Sequence, residues 1–105
     1  MLNLLRVTLF HRGWDEEQGV DIYEKREYQA HWYGHTVASP QAGGMQYSQE
    51  YKIRIPGDFP LSISIGDRIF KGSCDAASPP DGSVTISGYS DNRKGINPHW
   101  MVIAK

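Results

Sequence analysis

Two histidines, His31 and His35, are the first residues whose spacing could support chemistry. A separation of four residues places two imidazoles on one face of a helix, where they can share a zinc ion. The flanking residues alternate between apolar and polar, however, and along a strand four residues span roughly 13 Å, which is too far for a shared metal. We therefore predict two histidines on the polar face of a strand. A metal site built from His11, His99 or Cys74 on separate strands stays open, although no spacing supports one.

The other reactive side chains form no catalytic pattern in the sequence. Cys74 is followed by Asp75, and a neighbouring carboxylate disfavours the thiolate that a nucleophile needs. The acids Asp15, Glu16 and Glu17 lie in a polar segment rather than in the cleft that a glycosidase carboxylate pair requires. The sequence therefore predicts no catalytic residue, no cofactor and no metal, and the protein is not expected to be an enzyme.

Alternation of apolar and polar residues predicts strands along most of the chain. In residues 47–55 the side chains of Tyr47, Tyr51, Ile53 and Ile55 alternate with polar or charged ones. Successive strand residues point to opposite faces, so this segment has one buried and one solvated face. The same criterion, with glycine and proline as breakers, predicts strands at 3–11, 21–37, 47–55, 68–71, 84–89 and 99–104.

These six strands predict an all-β protein with a single domain over residues 1–105. The expected fold is a small antiparallel β-barrel or sandwich with at most one short helical turn, near residues 59–65. Closure into a barrel is favoured because an open sheet exposes two unpaired edges. The predicted second strand exceeds the usual strand length, and we expect it to bend near Glu24 and Arg26.

Charge and cysteine content restrict the function further. Lys and Arg total 11 against 12 Asp and Glu, and this balance disfavours a protein dedicated to nucleic acid. One cysteine excludes a disulfide within the chain and suits a reducing compartment. The apolar run from Met1 to Phe10 is interrupted by polar residues and is too short for a membrane span. We expect an intracellular protein that does not bind membranes.

The segment from Ser90 to Pro98 is predicted to be a long loop that carries two adjacent cations. Such a loop is either a solvated tip or a docking element for an acidic neighbour. The residues that we expect to contact a partner are Asp91, Asn92, Arg93, Lys94 and Asn97. The proline-rich loop 75–82 is the second candidate for this role.

Three short patterns follow one another in the second half of the chain. They are Tyr51-x-Ile53-x-Ile55-Pro56, then Ile65-Gly66-Asp67-x-Ile69-x-x-Gly72, and finally Asp91-Asn92-Arg93-x-Gly95 with Pro98-His99-Trp100-x-Val102. This succession resembles small prophage proteins of Gram-positive bacteria that are encoded among head and tail-joining genes. These proteins are described as minor capsid or head–tail connector proteins.

The resemblance implies a head-closure or stopper-like β-barrel that acts without catalysis in a homo-oligomeric ring between portal and tail. It implies other phage structural proteins as partners, on the portal or adaptor side and on the tail side. Assembly would take place in the cytoplasm of the bacterial host, and the final location would be the head–tail junction of the virion. The sequence leaves open whether the free protein is a monomer.

Two other functions stay open at this stage. The first is a small binding module, an SH3-like or oligonucleotide-binding barrel, in which exposed aromatic side chains stack on a ligand. The second is a small hydrolase or metalloenzyme. The aromatic residues are expected mainly to fill the core, with a binding face as the alternative; they include Tyr23, Tyr33, Tyr47, Tyr51 and Trp100.

Overall fold

The computed structural model describes residues 4–105, which form a single sheet of six antiparallel strands. The strands are β1 (Leu5–Asp15), β2 (Val20–Gln41), β3 (Gly44–Pro56), β4 (Arg68–Lys71), β5 (Val84–Asn92) and β6 (His99–Ala104). The sheet closes on itself in the order β1-β2-β3-β6-β5-β4. The predicted all-β class, the number of strands and the closure are confirmed. Residues 59–65 are irregular, and no helix occurs in residues 4–105.

The first three strands are longer than the sequence predicts. β1 continues to Asp15, so the connection between the first two predicted strands shrinks to a turn over residues 16–19. β2 continues through Pro40, and the connection between the second and third predicted strands becomes a tight turn at residues 42–43. Gly43 has a φ of 96°, a conformation that glycine adopts without strain and that a tight hairpin turn requires.

β2 exchanges one partner strand for another partway along its length. Residues 20–30 pair with β1, whereas residues 31–41 pair with β3. The change falls at Ala30 and His31, and not near Glu24 and Arg26, where pairing with β1 continues without interruption. The irregularity in the sheet lies instead in β5, where the register shifts between Ile86 and Gly88.

Apolar side chains from all six strands fill the interior of the barrel. The buried members of this cluster are Val7, Leu9, Ala30, Ile53, Ile55, Leu61, Ile63, Ile69, Ile86, Trp100, Val102 and Ala104. Leu61 and Ile63 come from the irregular segment between β3 and β4. Ile65, which continues the same apolar alternation in the sequence, is exposed. Leu61 and Ile63 of this segment therefore belong to the core, whereas Ile65 lies in solvent.

The chain between β4 and β5 packs against the outside of the barrel wall. The Thr8 hydroxyl donates to the Gly72 carbonyl at 2.7 Å, and the Lys25 ammonium donates to the carbonyls of Cys74 at 2.9 Å and Ala76 at 3.2 Å. Phe10, on the same face of the sheet, is fully buried. The proline-rich loop over 75–82 is therefore partly engaged by its own chain.

Two hairpin ends extend beyond the barrel. They are residues 13–22, which we call the β1–β2 tip, and residues 33–50, which we call the β2–β3 arm. Most of their side chains are exposed. The radius of gyration is 15.3 Å, against about 13 Å for a compact domain of this length. The protein therefore presents more surface to other molecules than its size requires.

Candidate partner-binding surface

The loop between β5 and β6 is shorter than predicted. Asp91 and Asn92, which the sequence placed in the loop, belong to β5 and pair with Trp100 and His99 of β6. Polar side chains do not end this strand, because the backbone ladder with β6 continues past them. The loop covers residues 93–98, so the candidate contact residues are split between a strand end and a loop.

Asp91 and Arg93 form a bidentate ion pair at the base of this loop. Arg93 donates through Nε and Nη2 to the two Asp91 carboxylate oxygens, each at 2.8 Å, and its backbone N–H donates to Oδ1 at 3.1 Å. The hydrogen bond from Arg93 lowers the pKa of Asp91 below its ordinary value. The guanidinium also lies over the Trp100 indole, 5.0 Å from the centre of the ring. These contacts hold the start of the loop in one conformation.

His99 fixes the other end of the loop. Its Nδ1 lies 2.8 Å from the Asn97 carbonyl, which can only accept, so Nδ1 carries the hydrogen. The Nε2 atom can then accept from the Asn92 amide, whose nitrogen lies 3.3 Å away. The loop is therefore held at one end by the predicted contact residues Asp91 and Arg93, and at the other by His99, which was not among them.

An open groove of about 1000 Å³ lies beside this loop. Its lining includes all five predicted contact residues, Asp91, Asn92, Arg93, Lys94 and Asn97, together with Arg54, Asp58, Gly95, Ile96 and His99. The Ile96 side chain is 98% exposed, and Lys94 forms no ion pair with any described residue. The rim of the groove is thus held by side-chain contacts and carries one exposed apolar side chain and one unpaired cation.

The ion pair between Asp91 and Arg93 predicts a specific pH response. The pKa of Asp91 is below its ordinary value of 3.8, so its contribution to the order of the loop is present above that value and is lost as the pH falls through the lowered pKa. We expect carboxyl-carbon NMR to give a titration midpoint below 3.8 in the wild type. In Arg93→Gln the midpoint should return towards the ordinary value. Identical midpoints in the two proteins would refute Arg93 as the cause.

A second polar centre, absent from the sequence analysis, lies between β1 and the start of β4. Asp67 is only 2% exposed, and its Oδ2 accepts from His11 Nδ1 at 2.7 Å and from Ser64 N at 2.8 Å. Its Oδ1 accepts from Arg12 N at 3.1 Å. Gly66 and Asp67 belong to one of the sequence patterns, but the partner of Asp67, His11, is 56 residues away in the chain and no local signal joins them.

The buried Asp67 carboxylate joins His11 of β1 to the turn before β4. The two carboxylate oxygens of Asp67 accept three hydrogen bonds, two from backbone N–H groups and one from His11. The carboxylate therefore fixes the 64–67 turn onto β1. Within residues 4–105, no three His, Cys, Asp or Glu side chains come together in a way that could hold a metal ion.

The structure corrects one prediction about the remaining histidines. His31 is buried, with 9% of its surface exposed, and does not lie on a solvated face. The reason is that β2 changes partners here, so that His31 lies within the barrel wall and not along a free hairpin. His35, further along the β2–β3 arm, is half-buried, with its Nε2 3.5 Å from a Glu50 carboxylate oxygen. Cys74 is half-buried in the segment after β4.

The aromatic residues divide between the core and the surface. Trp100 is buried, and Tyr51 packs on Trp32 with ring centres 5.5 Å apart. Tyr33 and Tyr47, on the β2–β3 arm, are exposed and do not fill the core. The expectation of a core role thus applies to residues on the barrel and not to those on the arm.

The fold and this surface define a small all-β domain whose sheet closes on itself and carries a charged groove beside one loop. The profile of a family of unknown function, DUF6751, matches residues 4–105, and the chain belongs to this family. Comparison with curated proteins gives no match, and comparison with solved structures gives none. In the part of the chain that the structure describes, no helix is long and apolar enough to cross a membrane.

Proposed function

We propose that the protein is a structural component of a phage or prophage particle, a head–tail connector subunit that acts through protein–protein contacts in a ring. The observation that carries the proposal is the combination of a closed barrel with two projecting hairpin ends and a fixed, partly apolar loop. The resemblance of residues 51–102 to head and tail-joining proteins points in the same direction.

A ring subunit needs a body that does not deform and elements that reach its neighbours. The closed barrel supplies the body, since closure leaves few unpaired edges. The β1–β2 tip and the β2–β3 arm are the elements that extend towards neighbours. Both expose large apolar side chains such as Trp14 and Tyr47. Exposed apolar side chains on projecting elements are typical of surfaces that another protein covers.

The β5–β6 loop suits a contact in which the bound conformation is already present in the free protein. Its conformation is held by the Asp91–Arg93 pair and by His99, so little conformational entropy is lost when a partner binds. Lys94 and Ile96 remain free to interact. We therefore assign the candidate contact residues of this loop to the interface with a neighbouring protein.

Deletion of the gene in the phage or prophage that carries it tests the function. We expect heads and tails to form separately and to remain unjoined, as seen by electron microscopy of the particles. The wild-type gene supplied in trans should restore joined particles. If tails join heads normally without the protein, the proposed function is wrong.

The same assay tests the role of the loop. Arg93→Glu plus Lys94→Glu should fail to restore joining, because the substitutions reverse the charge of the loop and remove the ion pair with Asp91. The control is Lys52→Glu plus Lys105→Glu, which makes the same change in net charge at exposed cations elsewhere. Full restoration by the loop variant would show that this loop is not the contact.

A second candidate function is a small barrel that binds single-stranded nucleic acid. It is favoured by the exposed Tyr89, whose ring centre lies 6.4 Å from that of Trp100, in a region that also carries Arg93 and Lys94. Bases stack on exposed aromatic rings, and cations bind the phosphates. A salt-sensitive mobility shift of labelled single-stranded DNA, lost in Tyr89→Ala, would support this function over the structural one.

A further inference from the structure

The β1–β2 tip and the β5–β6 loop lie at the same end of the barrel. Because all neighbouring strands are antiparallel, β1, β3 and β5 run in one direction and end at this end of the barrel. A hydrogen bond of 2.9 Å from the Gly57 N–H to the Pro98 carbonyl joins the chain after β3 to the chain before β6 there. Both hairpins therefore project at one end of the molecule.

The two hairpins occupy opposite walls of the barrel. In the strand order β1-β2-β3-β6-β5-β4, β1 is three strands away from β6 and β2 is three strands away from β5. In a closed sheet of six strands, a separation of three is the largest possible. A copy placed beside this one, with its barrel axis parallel, would thus bring its β1–β2 tip towards the β5–β6 loop of the first.

The two hairpins also carry opposite charge. Between residues 15 and 21 the β1–β2 tip has four acids and no Lys or Arg; the acids are Asp15, Glu16, Glu17 and Asp21. Between residues 93 and 97 the β5–β6 loop has two cations, Arg93 and Lys94, and no acid. Arg54 adds a cation to the groove beside this loop, where Asp58 and Asp91 are the acids. Of the two loop cations, Lys94 has no acidic partner within its own described chain.

Both surfaces combine charge with exposed apolar side chains. On the β1–β2 tip these are Trp14, Val20 and Ile22, and on the β5–β6 loop the exposed apolar residue is Ile96. Apolar side chains, tryptophan above all, supply most of the affinity of protein interfaces, whereas surrounding charges set the orientation and the rate of association. Each hairpin thus combines exposed apolar side chains with a charge opposite to that of the other hairpin.

We propose that the acidic β1–β2 tip of one copy binds the groove beside the β5–β6 loop of the next, in a head-to-tail contact. Such a contact uses two different surfaces of each subunit and can close into a ring. This inference rests on the proposed function, in which the protein acts as a ring subunit, and it names the two surfaces that meet. It also gives a role to the opposite charges of the two hairpins.

A charge exchange between two variants tests the contact. The first variant, Glu16→Lys plus Glu17→Lys plus Asp21→Lys, has a basic tip, in which three lysines outnumber Asp15, and a basic loop. The second, Lys94→Glu plus Asn97→Glu, has an acidic tip and an acidic loop, and it leaves the Arg93–Asp91 pair in place. Each variant alone repels copies of itself, but the two are complementary to each other. The control is Asp75→Lys plus Asp81→Lys, two exposed positions at the opposite end of the barrel.

Sedimentation velocity of the full chain at low salt gives the readout. For the wild type and the control, we expect the average mass to rise above 11.9 kDa with concentration and to fall again when salt is added. Each variant alone should associate at least about tenfold more weakly, and an equimolar mixture of the two should recover the association of the wild type.

Two results would overturn the head-to-tail contact. One is a wild-type protein that stays monomeric up to about 1 mM, which corresponds to a contact too weak to assemble a ring. The other is a mixture that associates no better than its two components. If either occurs while gene deletion still blocks the joining of heads and tails, only this contact is wrong. If the mixture is rescued but deletion leaves joining intact, the contact stands and the proposed function falls.

Discussion

Replacement of Trp100 by alanine is expected to lower the free energy of unfolding by about 4 kcal/mol. The indole is 6% exposed, belongs to the core cluster and donates from Nε1 to the Phe59 carbonyl at 3.0 Å. Alanine would leave a large cavity and an unpaired carbonyl in the interior. Since small domains are stable by only about 5–15 kcal/mol, much of the stability would be lost. Urea denaturation followed by circular dichroism measures the effect.

Two control variants separate the contributions of Trp100. Trp100→Phe retains an aromatic ring but loses the hydrogen bond to Phe59, and we expect a loss of about 1–2 kcal/mol. Trp14→Ala removes the same atoms from a side chain that is 60% exposed, and we expect a change within about 0.5 kcal/mol at a concentration where the protein is monomeric. Equal losses for Trp100→Ala and Trp14→Ala would contradict the burial that the structure assigns to Trp100.

Removal of the Asp67 carboxylate is expected to lower the free energy of unfolding by about 3 kcal/mol. In Asp67→Ala the N–H groups of Arg12 and Ser64 and the Nδ1–H of His11 lose their acceptor together. The turn that leads into β4 would then lose its attachment to β1. The measurement is again urea denaturation, with Asp81→Ala as the control at an exposed aspartate.

The isosteric variant Asp67→Asn makes this prediction sharper. The amide keeps one acceptor oxygen but places an NH2 group against N–H donors, so we expect a loss of about 2 kcal/mol. A loss comparable with that of Asp81→Ala would show that the buried carboxylate does not hold the 64–67 turn. Retention of stability in Asn but not in Ala would show that shape, and not acceptance of several hydrogen bonds, is what the site needs.

The sequence predicted where strands occur better than it predicted where they end. Ile53 and Ile55 alternate with charged residues, and this alternation correctly identified β3, because a strand half-buried on one face needs that period. The end of β5 was missed because Asp91 and Asn92 are polar residues typical of loops. They remain in the strand because their backbones pair with Trp100 and His99, a constraint that the residues themselves do not encode.

The groove beside the β5–β6 loop also combines residues that the sequence identified with one that it did not. The sequence identified Arg93 and Lys94 as adjacent cations in a segment of polar residues, and both line the groove. It gave no sign that Arg54, about 40 residues earlier, would lie beside them. That proximity results from the pairing of β3 with β6, which brings Arg54 opposite Met101.

The sequence by itself determined the all-β class, the approximate positions of the six strands and the separation of acidic and basic segments along the chain. These features depend on residue type and on spacing within a few residues. Only the tertiary structure decided which strands are neighbours, that His31 is buried, that His11 meets Asp67, and that the two charged hairpins lie on opposite walls at one end. Those outcomes depend on contacts between residues far apart in the chain, and such contacts form only when the sheet closes.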